Sequence, residues 1–176
     1  MIEEREYAGA EHLNDAFVAA YDRKQQFDPS SDVALVLSRG LGPQSTFVDL
    51  GAGTGTFALA AASALGRVVA VDVSLSMLHM LGRRAERQGV TSVECVQAGL
   101  LNYEHDGSPP DAIYTRNVLH QLPDFWKSMA LDRIAHLLPS GGLLLVRDLV
   151  YDFHPSEADD VLEEWLSGAV DDPARG

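Results

Sequence analysis

The stretch FVDLGAGTGTFAL, residues 47–59, places three glycines at alternate positions directly after a short apolar run that is typical of a β-strand. A strand, a glycine-rich turn and then a helix can form a site for a nucleotide-like ligand, because glycine lets the backbone approach the ligand and the helix N-terminus presents unpaired N–H groups. This signal is weak by itself, since glycines also form tight turns without a ligand. The stretch raises the question of what Gly51, Gly53 and Gly55 hold.

The spacing of the glycines narrows the class of ligand. The dinucleotide fingerprint G-x-G-x-x-G requires its third glycine where this chain has Thr56. The turn is therefore less suited to a pyrophosphate, and an NAD-linked oxidoreductase is a remote alternative. A second indication of the ligand class is Asp72. It lies at the end of the strand-like run RVVAVDV, next to its last residue and about 20 residues after Gly51. An acid at this position can accept hydrogen bonds from both ribose hydroxyls, or it can simply cap the next helix.

Strand and helix patterns alternate through the middle of the chain, which predicts parallel βαβ units and an α/β fold. The predicted strands are residues 46–50, 67–73, 92–98, 111–115 and 142–150. The predicted helices are residues 55–65, 75–88 and 124–138, with Asp124 as the N-cap of the last one. We expect their apolar faces to form the core.

Length and charge limit the classes of protein. The chain has 176 residues, 46% of them hydrophobic, which predicts one domain. Its parts are a helical N-terminal cap (1–45), a ligand-binding core (46–150) and a C-terminal helix and tail (151–176). The formal net charge of −13 disfavours nucleic acids and anionic membranes as partners.

Several side chains are expected to be structural. Cys95 is the one cysteine and is expected to be a buried structural thiol, so no disulfide forms. The histidines lack metal-ligand spacing, and no metal site is expected. Phe125, Trp126 and Trp165 are expected to pack rather than face a substrate. The sequence shows neither a bilayer-spanning apolar stretch nor a signal peptide, which predicts a cytoplasmic protein.

Four motifs occur in order along the chain: VDLGAGTG, VVAVDVS, DAIYTRNVLHQLPD and LLPSGGLLLVRDLV. Together they make the chain resemble a class I S-adenosylmethionine-dependent methyltransferase of the small-molecule type. The resemblance implies a three-layer, Rossmann-like, doubly wound sheet of about five parallel strands in the order 3-2-1-4-5. It also implies S-adenosyl-L-methionine as cofactor and a small-molecule methyl acceptor. An alternative is a regulatory or inactive module that binds the cofactor without turnover.

The resemblance also assigns residues to the parts of the cofactor. It implies that Asp49 orients the glycine loop or the cofactor amino group, and that Asp72 binds the ribose. Where many relatives have an acid near the adenine amino group, this chain has Gly99, so contact there would rest on backbone and Leu100. The other implied cofactor residues are Gly51, Ala52, Gly53 and Gly55 in the loop, Val73 on the adenine, Arg116 and Asn117 near the sulfonium, and Tyr21 and Lys24 near the carboxylate.

His120 is the candidate general base. It follows the fourth predicted strand, at the end of the sheet where doubly wound folds build their sites, and an imidazole exchanges protons near neutral pH. A base is needed only if the acceptor must lose a proton. The alternative is a histidine that packs the start of the next helix.

The C-terminus is short for this resemblance. Relatives usually continue through a helix into an antiparallel strand pair, whereas only the helix is expected here. The fifth strand would then be an exposed apolar edge. Three interpretations remain open: a fragment of a longer chain, a homodimer through this edge, or a minimal domain.

Overall fold

Five short strands form one parallel sheet in the computed structural model, which describes residues 2–14, 17–18, 27–150 and 152–170. The strands are β1 (Thr46–Leu50), β2 (Arg67–Asp72), β3 (Val93–Gln97), β4 (Ala112–Arg116) and β5 (Leu143–Arg147). Their order is β3-β2-β1-β4-β5, and every neighbouring pair is parallel. The predicted α/β fold class and strand order are confirmed.

Five α-helices have defined bounds in the described parts of the chain. They are α1 (Ser30–Ser38), α2 (Thr56–Ala61), α3 (Leu75–Gln88), α4 (Asp124–Leu137) and α5 (Ala158–Val170). Short 3-10 helices cover Glu4–Glu6, Ala10–Leu13, Leu119–Gln121 and Pro155–Glu157. In the described parts of the chain, no helix is both long and apolar enough to cross a bilayer.

Each face of the sheet carries its own hydrophobic cluster. On one face Val36 of α1, Phe57 of α2 and Leu81 of α3 pack against the strands. On the other face Ala130 and Ile134 of α4 pack against the strands. The layers are therefore helix, sheet and helix, with the central strands β1, β2 and β4 buried between them.

A buried carboxylate joins α1 to the sheet. Asp32 is only 1% exposed. Its Oδ2 accepts a 2.6 Å hydrogen bond from the Tyr114 hydroxyl of β4. Its Oδ1 lies 2.6 Å from Nε of Arg147 on β5. The first helix is thus held against the flank of the sheet by side chains from two strands.

Three local expectations are wrong. Cys95 is exposed, because β3 is an edge strand with one open side. The helix after the glycine turn ends at Ala61, and residues 62–66 form turns and bends instead of its last turn. Pro123 occupies the N-cap position of α4, so Asp124 is the first helical residue, where its carboxylate pairs with Lys127 at 2.8 Å.

Candidate functional site

A cleft lies where β1, β2 and β4 end. In doubly wound sheets the ligand site lies at the carboxyl ends of the strands, at the point where the strand order reverses. Here β1 lies between β2 and β4, so the cleft occupies that point. Its lining residues are Ala8, His12, Gly51, Gly53, Asp72, Val73, Met77, Ala98, Gly99, Leu100, Arg116, Asn117, Val118 and Gln121.

The three loop glycines have different structural roles. All three have positive φ, a region that favours glycine. A Cβ on Gly51 would lie 2.1 Å from Cγ2 of Val118, and one on Gly55 would lie 2.3 Å from Cγ of Leu81. A Cβ on Gly53 would meet nothing within 4 Å. Gly51 and Gly55 are thus required by packing, whereas Gly53 borders open space in the cleft.

Asp72 connects the glycine loop to the start of α3. Its Oδ2 accepts a hydrogen bond from the Gly53 N–H and its Oδ1 accepts one from the Ser74 N–H, both at 2.8 Å. Ser74 caps α3 by accepting a hydrogen bond from the Met77 N–H. Asp72 is therefore not the helix cap. Burial raises the pKa of Asp72, while these hydrogen bonds and the nearby His12 act in the opposite direction.

Asp49 lies beneath the loop and is 2% exposed. Its Oδ2 is buried and has no hydrogen-bond partner among the described residues. Burial, together with repulsion from Asp72, raises the pKa of Asp49 to about 8. A buried acid of this kind needs a cation or a donor to be stable in its charged form. Asp49 does not itself line the cleft, and the Ala58 N–H near the start of α2 acts to lower its pKa.

An arginine clamp fixes the start of α2. Nη1 of Arg84 on α3 donates to the Thr54 carbonyl at 3.1 Å, and it lies 3.2 Å from Oγ1 of Thr54 and 3.3 Å from Oγ1 of Thr56. At the position where a dinucleotide fingerprint has glycine, this chain therefore has a threonine whose hydroxyl contacts Arg84. Arg84 was missed in the sequence, because its partners lie about 30 residues earlier in the chain.

Asn117 adopts a strained backbone conformation at the opposite wall of the cleft. Its φ of 56° is the one positive value among the described non-glycine residues. Its N–H donates to the Arg147 carbonyl at 2.8 Å. Such strain costs about 1–3 kcal/mol and clusters at functional sites. The neighbouring Arg116 guanidinium lies 3.8 Å from the ring centroid of Phe27.

His120 and Asp148 form a pair outside the lining of the cleft, next to the lining residue Gln121, and this pair is called the rim pair. Nδ1 of His120 lies 2.5 Å from Oδ1 of Asp148, and the His120 N–H donates to Oδ2 at 3.1 Å. The His120 side chain is 33% exposed and that of Asp148 is 10% exposed. Asp148 was missed in the sequence because it follows β5, 28 residues beyond its partner. The carboxylate fixes the orientation of the imidazole.

The remaining candidate residues fall into three groups. Val73, Gly99 and Leu100 line the cleft as expected. Ala52 and Gly55 do not line it, and Ala52 instead packs against the cluster that contains Phe57. Tyr21 and Lys24 lie outside the described residues.

One histidine lies in the site although its sequence position does not indicate it. His12 lacks metal-ligand spacing in the sequence, yet it lines the cleft near Asp72. Phe125 and Trp165 are 66% and 60% exposed, whereas Trp126 packs against the hydrophobic cluster on the α4 side of the sheet. Among the described residues, no group of three histidine, cysteine or acidic side chains could hold a metal ion.

A comparison with known protein families identifies the domain that contains the cleft. A methyltransferase domain model matches residues 47–142, which include β2 to β4, the whole glycine loop and all of β1 except Thr46. The chain belongs to this methyltransferase domain family. No curated protein sequence matches the chain.

Solved structures share the methyltransferase fold at low sequence identity. The YcgJ protein from Bacillus subtilis is 24% identical with a TM-score of 0.63, over 82% of this chain and 60% of that one. A SAM-dependent methyltransferase from Aquifex aeolicus is 20% identical with a TM-score of 0.63, over 86% and 87% of the two chains. Haemonchus contortus phosphoethanolamine N-methyltransferase 2, in complex with phosphomonomethylethanolamine and S-adenosylhomocysteine, is 22% identical with a TM-score of 0.69.

The methyltransferase-like chain is shorter than several of these proteins. It spans 60% of the length of YcgJ. The match with the Haemonchus enzyme covers 94% of this chain and 41% of that enzyme.

Proposed function

We propose that this chain binds S-adenosyl-L-methionine and transfers its methyl group to a small-molecule acceptor. The observation that carries the proposal is the cleft at the carboxyl ends of the strands, which brings the open loop position Gly53 together with the Asp72 carboxylate. S-adenosylmethionine carries two positive groups, its ammonium and its sulfonium. A cation of this kind in the loop offsets the burial that raises the pKa of Asp49.

The rest of the cleft supports the same ligand. Asp72 stands at the end of β2, where an acid accepts hydrogen bonds from ribose hydroxyls. Val73 and Leu100 add apolar walls beyond it, suited to the face of an adenine. The loop has Thr56 in place of the third fingerprint glycine, and the Thr56 hydroxyl contacts Arg84. The missing glycine disfavours a dinucleotide as the ligand.

The chain's own residues mainly provide alignment. The bound cofactor supplies an activated methyl group on its sulfonium, so the transfer needs no separate activation of the methyl donor. The protein must hold the acceptor in line and limit the access of water. The strained Asn117 and the neighbouring Arg116 lie on the wall where β4 ends, opposite the glycine loop. We assign this wall to the sulfonium.

His120 is proposed as the base for an acceptor that must lose a proton. An ionised carboxylate only accepts hydrogen bonds, so Asp148 holds the proton on Nδ1 of His120. Nε2 then carries the lone pair and can take a proton from an acceptor. The partly exposed position of His120 at the rim suits a group that meets an acceptor arriving from solvent.

The small-molecule character of the acceptor is supported by two observations. The net charge of −13 disfavours nucleic acid as a substrate. The Haemonchus relative was solved with phosphomonomethylethanolamine, which is a small molecule.

Calorimetric titration of the full chain tests the proposal. We expect S-adenosylmethionine and S-adenosylhomocysteine to bind and NAD to bind at least tenfold more weakly, a difference of about 1.4 kcal/mol. Binding of NAD alone would overturn the proposal. Methyl transfer from labelled cofactor to a panel of small amines, phenols and carboxylates then separates an enzyme from a module that only binds the cofactor.

A further inference from the structure

The N-terminal 3-10 helix Glu4–Glu6 places a carboxylate on the loop that follows β3. Oε1 of Glu4 accepts a 2.9 Å hydrogen bond from the N–H of Leu101, a residue 97 positions along the chain. Burial raises the pKa of Glu4, although the Leu101 hydrogen bond, the neighbouring Leu100 N–H and the charge of Arg133 act in the opposite direction. The carboxylate thus reaches the loop after β3 from a distant segment of the chain.

The space for this carboxylate exists because residue 99 is glycine. A Cβ on Gly99 would lie 1.4 Å from Oε2 of Glu4. The backbone itself does not require glycine there, since Gly99 is not among the residues with positive φ. The Glu4 carboxylate therefore explains why residue 99 has no side chain.

The second oxygen of Glu4 lacks a partner. Oε2 is buried and accepts no hydrogen bond from the described residues. A buried acceptor without a donor is unfavourable, so the arrangement indicates that a donor arrives with a ligand.

The position of Glu4 indicates which ligand group this is. Glu4 lines a depression together with Val73 and Leu100, two residues that also line the main cleft. In the cleft, the glycine loop lies on one side of Asp72, whereas Val73, Gly99 and Leu100 lie beyond the end of β2 on the β3 side. With the ribose on Asp72, the base of a nucleoside must extend towards β3.

We propose that Glu4 recognises the exocyclic amino group of the adenine base, and that Gly99 is present to admit it. The inference rests on the proposed adenosyl cofactor and adds a residue that determines base specificity. An amino group donates to the unpartnered Oε2. A 6-oxo base offers an oxygen at the same place, which the carboxylate repels.

The test compares S-adenosylhomocysteine with its 6-oxo analogue S-inosylhomocysteine by calorimetry. We expect the unmodified chain to prefer the adenine ligand at least tenfold. Glu4→Gln keeps an acceptor for the Leu101 N–H and adds an amide donor, so the preference should fall to less than threefold. Glu6→Gln is the matched control, since Glu6 is an exposed acid on the same 3-10 helix and should leave the preference unchanged.

Gly99→Ala provides an independent variant, because the added methyl group occupies the place of Oε2 and displaces a flexible side chain. It should reduce the base preference as much as Glu4→Ala does, and the double variant should show no further loss. Thermal melting of each variant checks that it is folded.

The outcomes separate this inference from the proposed function. Binding of neither nucleoside by the unmodified chain overturns the adenosyl proposal itself. Binding of S-adenosylhomocysteine with a base preference that Glu4→Gln leaves intact overturns only the role of Glu4, and assigns it to docking of the N-terminal segment.

Discussion

Asp49 is unfavourable for the stability of the ligand-free protein. Its carboxyl ionises near pH 3.8 in an unfolded chain and near pH 8 when folded. The folded state therefore holds an extra proton between these values, and stability falls as the pH rises from about 4 to about 8. Such a cost is expected where a residue is retained for binding rather than for folding.

We expect Asp49→Asn to stabilise the free chain by roughly 3 kcal/mol at about pH 9, and to have little effect at about pH 4. Asp72 has a raised pKa as well, so part of the pH dependence should remain. Urea denaturation at both pH values measures the difference, with the exposed Asp152→Asn as control. The same variant should bind S-adenosylmethionine more weakly, because the ligand loses its counter-charge. Equal pH profiles for the variant and the unmodified chain would contradict the burial argument.

Asp72 should contribute directly to binding. We expect Asp72→Ala to weaken S-adenosylhomocysteine by about 1.5–3 kcal/mol, as for hydrogen bonds lost from a charged group. Because Asp72 also holds the Gly53 N–H, part of this loss is loosening of the loop. Asp106→Ala, at an exposed acid far from the cleft, is the matched control in the calorimetric titration. Unchanged affinity would remove Asp72 from the site.

The rim pair should act on turnover alone. We expect His120→Gln and Asp148→Asn each to lower kcat by about 100-fold or more if the acceptor must lose a proton, the usual contribution of a positioned base. Cofactor affinity should stay within about twofold, since neither residue lines the cleft. Single-turnover rates and calorimetry on the same samples separate the two effects. A parallel fall in cofactor affinity would show a structural role instead.

At the scale of elements, the strand–loop–helix unit uses one of its glycines for packing and another for the ligand site. Gly55 packs against Leu81 of α3, while Gly53 faces open space. Positive φ makes any side chain costly at either position, by about 1–2 kcal/mol. Overpacking adds a second cost at Gly55 alone, of about 1–3 kcal/mol.

We therefore expect Gly55→Ala to lower the free energy of unfolding by about 1–3 kcal/mol more than Gly53→Ala does. Gly53→Ala should remain folded yet bind S-adenosylhomocysteine at least tenfold more weakly, because its methyl group fills the cleft. Denaturant titrations and calorimetry on both variants measure the contrast. Equal loss of stability in the two variants would refute this division of roles.

The elements were predictable because their patterns are local. The predicted strand 46–50 and helix 75–88 match β1 and α3 at both ends. Cys95 was misjudged because the same apolar pattern suits an edge strand and a central one, and only the strand order distinguishes them. The helix after the glycine loop was overextended because residues 62–65 remain apolar or small while the chain already turns.

The site was predictable only where a motif is continuous. The glycine loop and Asp72 lie on adjacent strand ends that the fold brings together. Arg84, Asp148 and Glu4 reach their partners from 28 to 97 residues away, and no local spacing encodes such contacts. Gly99 shows how far the sequence can be read. In the sequence, glycine stands where relatives often have an acid, whereas in the structure the Glu4 carboxylate occupies the space beside this glycine.

At the scale of the whole molecule, the two sheet edges differ in chemistry. The β3 edge carries Glu94, which pairs with Arg67 at 2.7 Å, and an exposed Gln97. The other edge is β5, which pairs only with β4 among the described residues. Val146 is 40% exposed on it, and Val150 just after it is 83% exposed. Charged residues protect an edge from pairing with another chain, so β5 is the less protected one.

We expect this chain to self-associate through β5 at high concentration, and Val146→Glu to raise the dissociation constant of the dimer roughly tenfold or more. Val161→Glu is the matched control, because Val161 on α5 is 37% exposed and the variant carries the same added charge. Sedimentation velocity over a range of concentrations measures both. A chain that stays monomeric at every concentration, or equal effects of the two variants, would place the association surface elsewhere and leave β5 as a tolerated open edge.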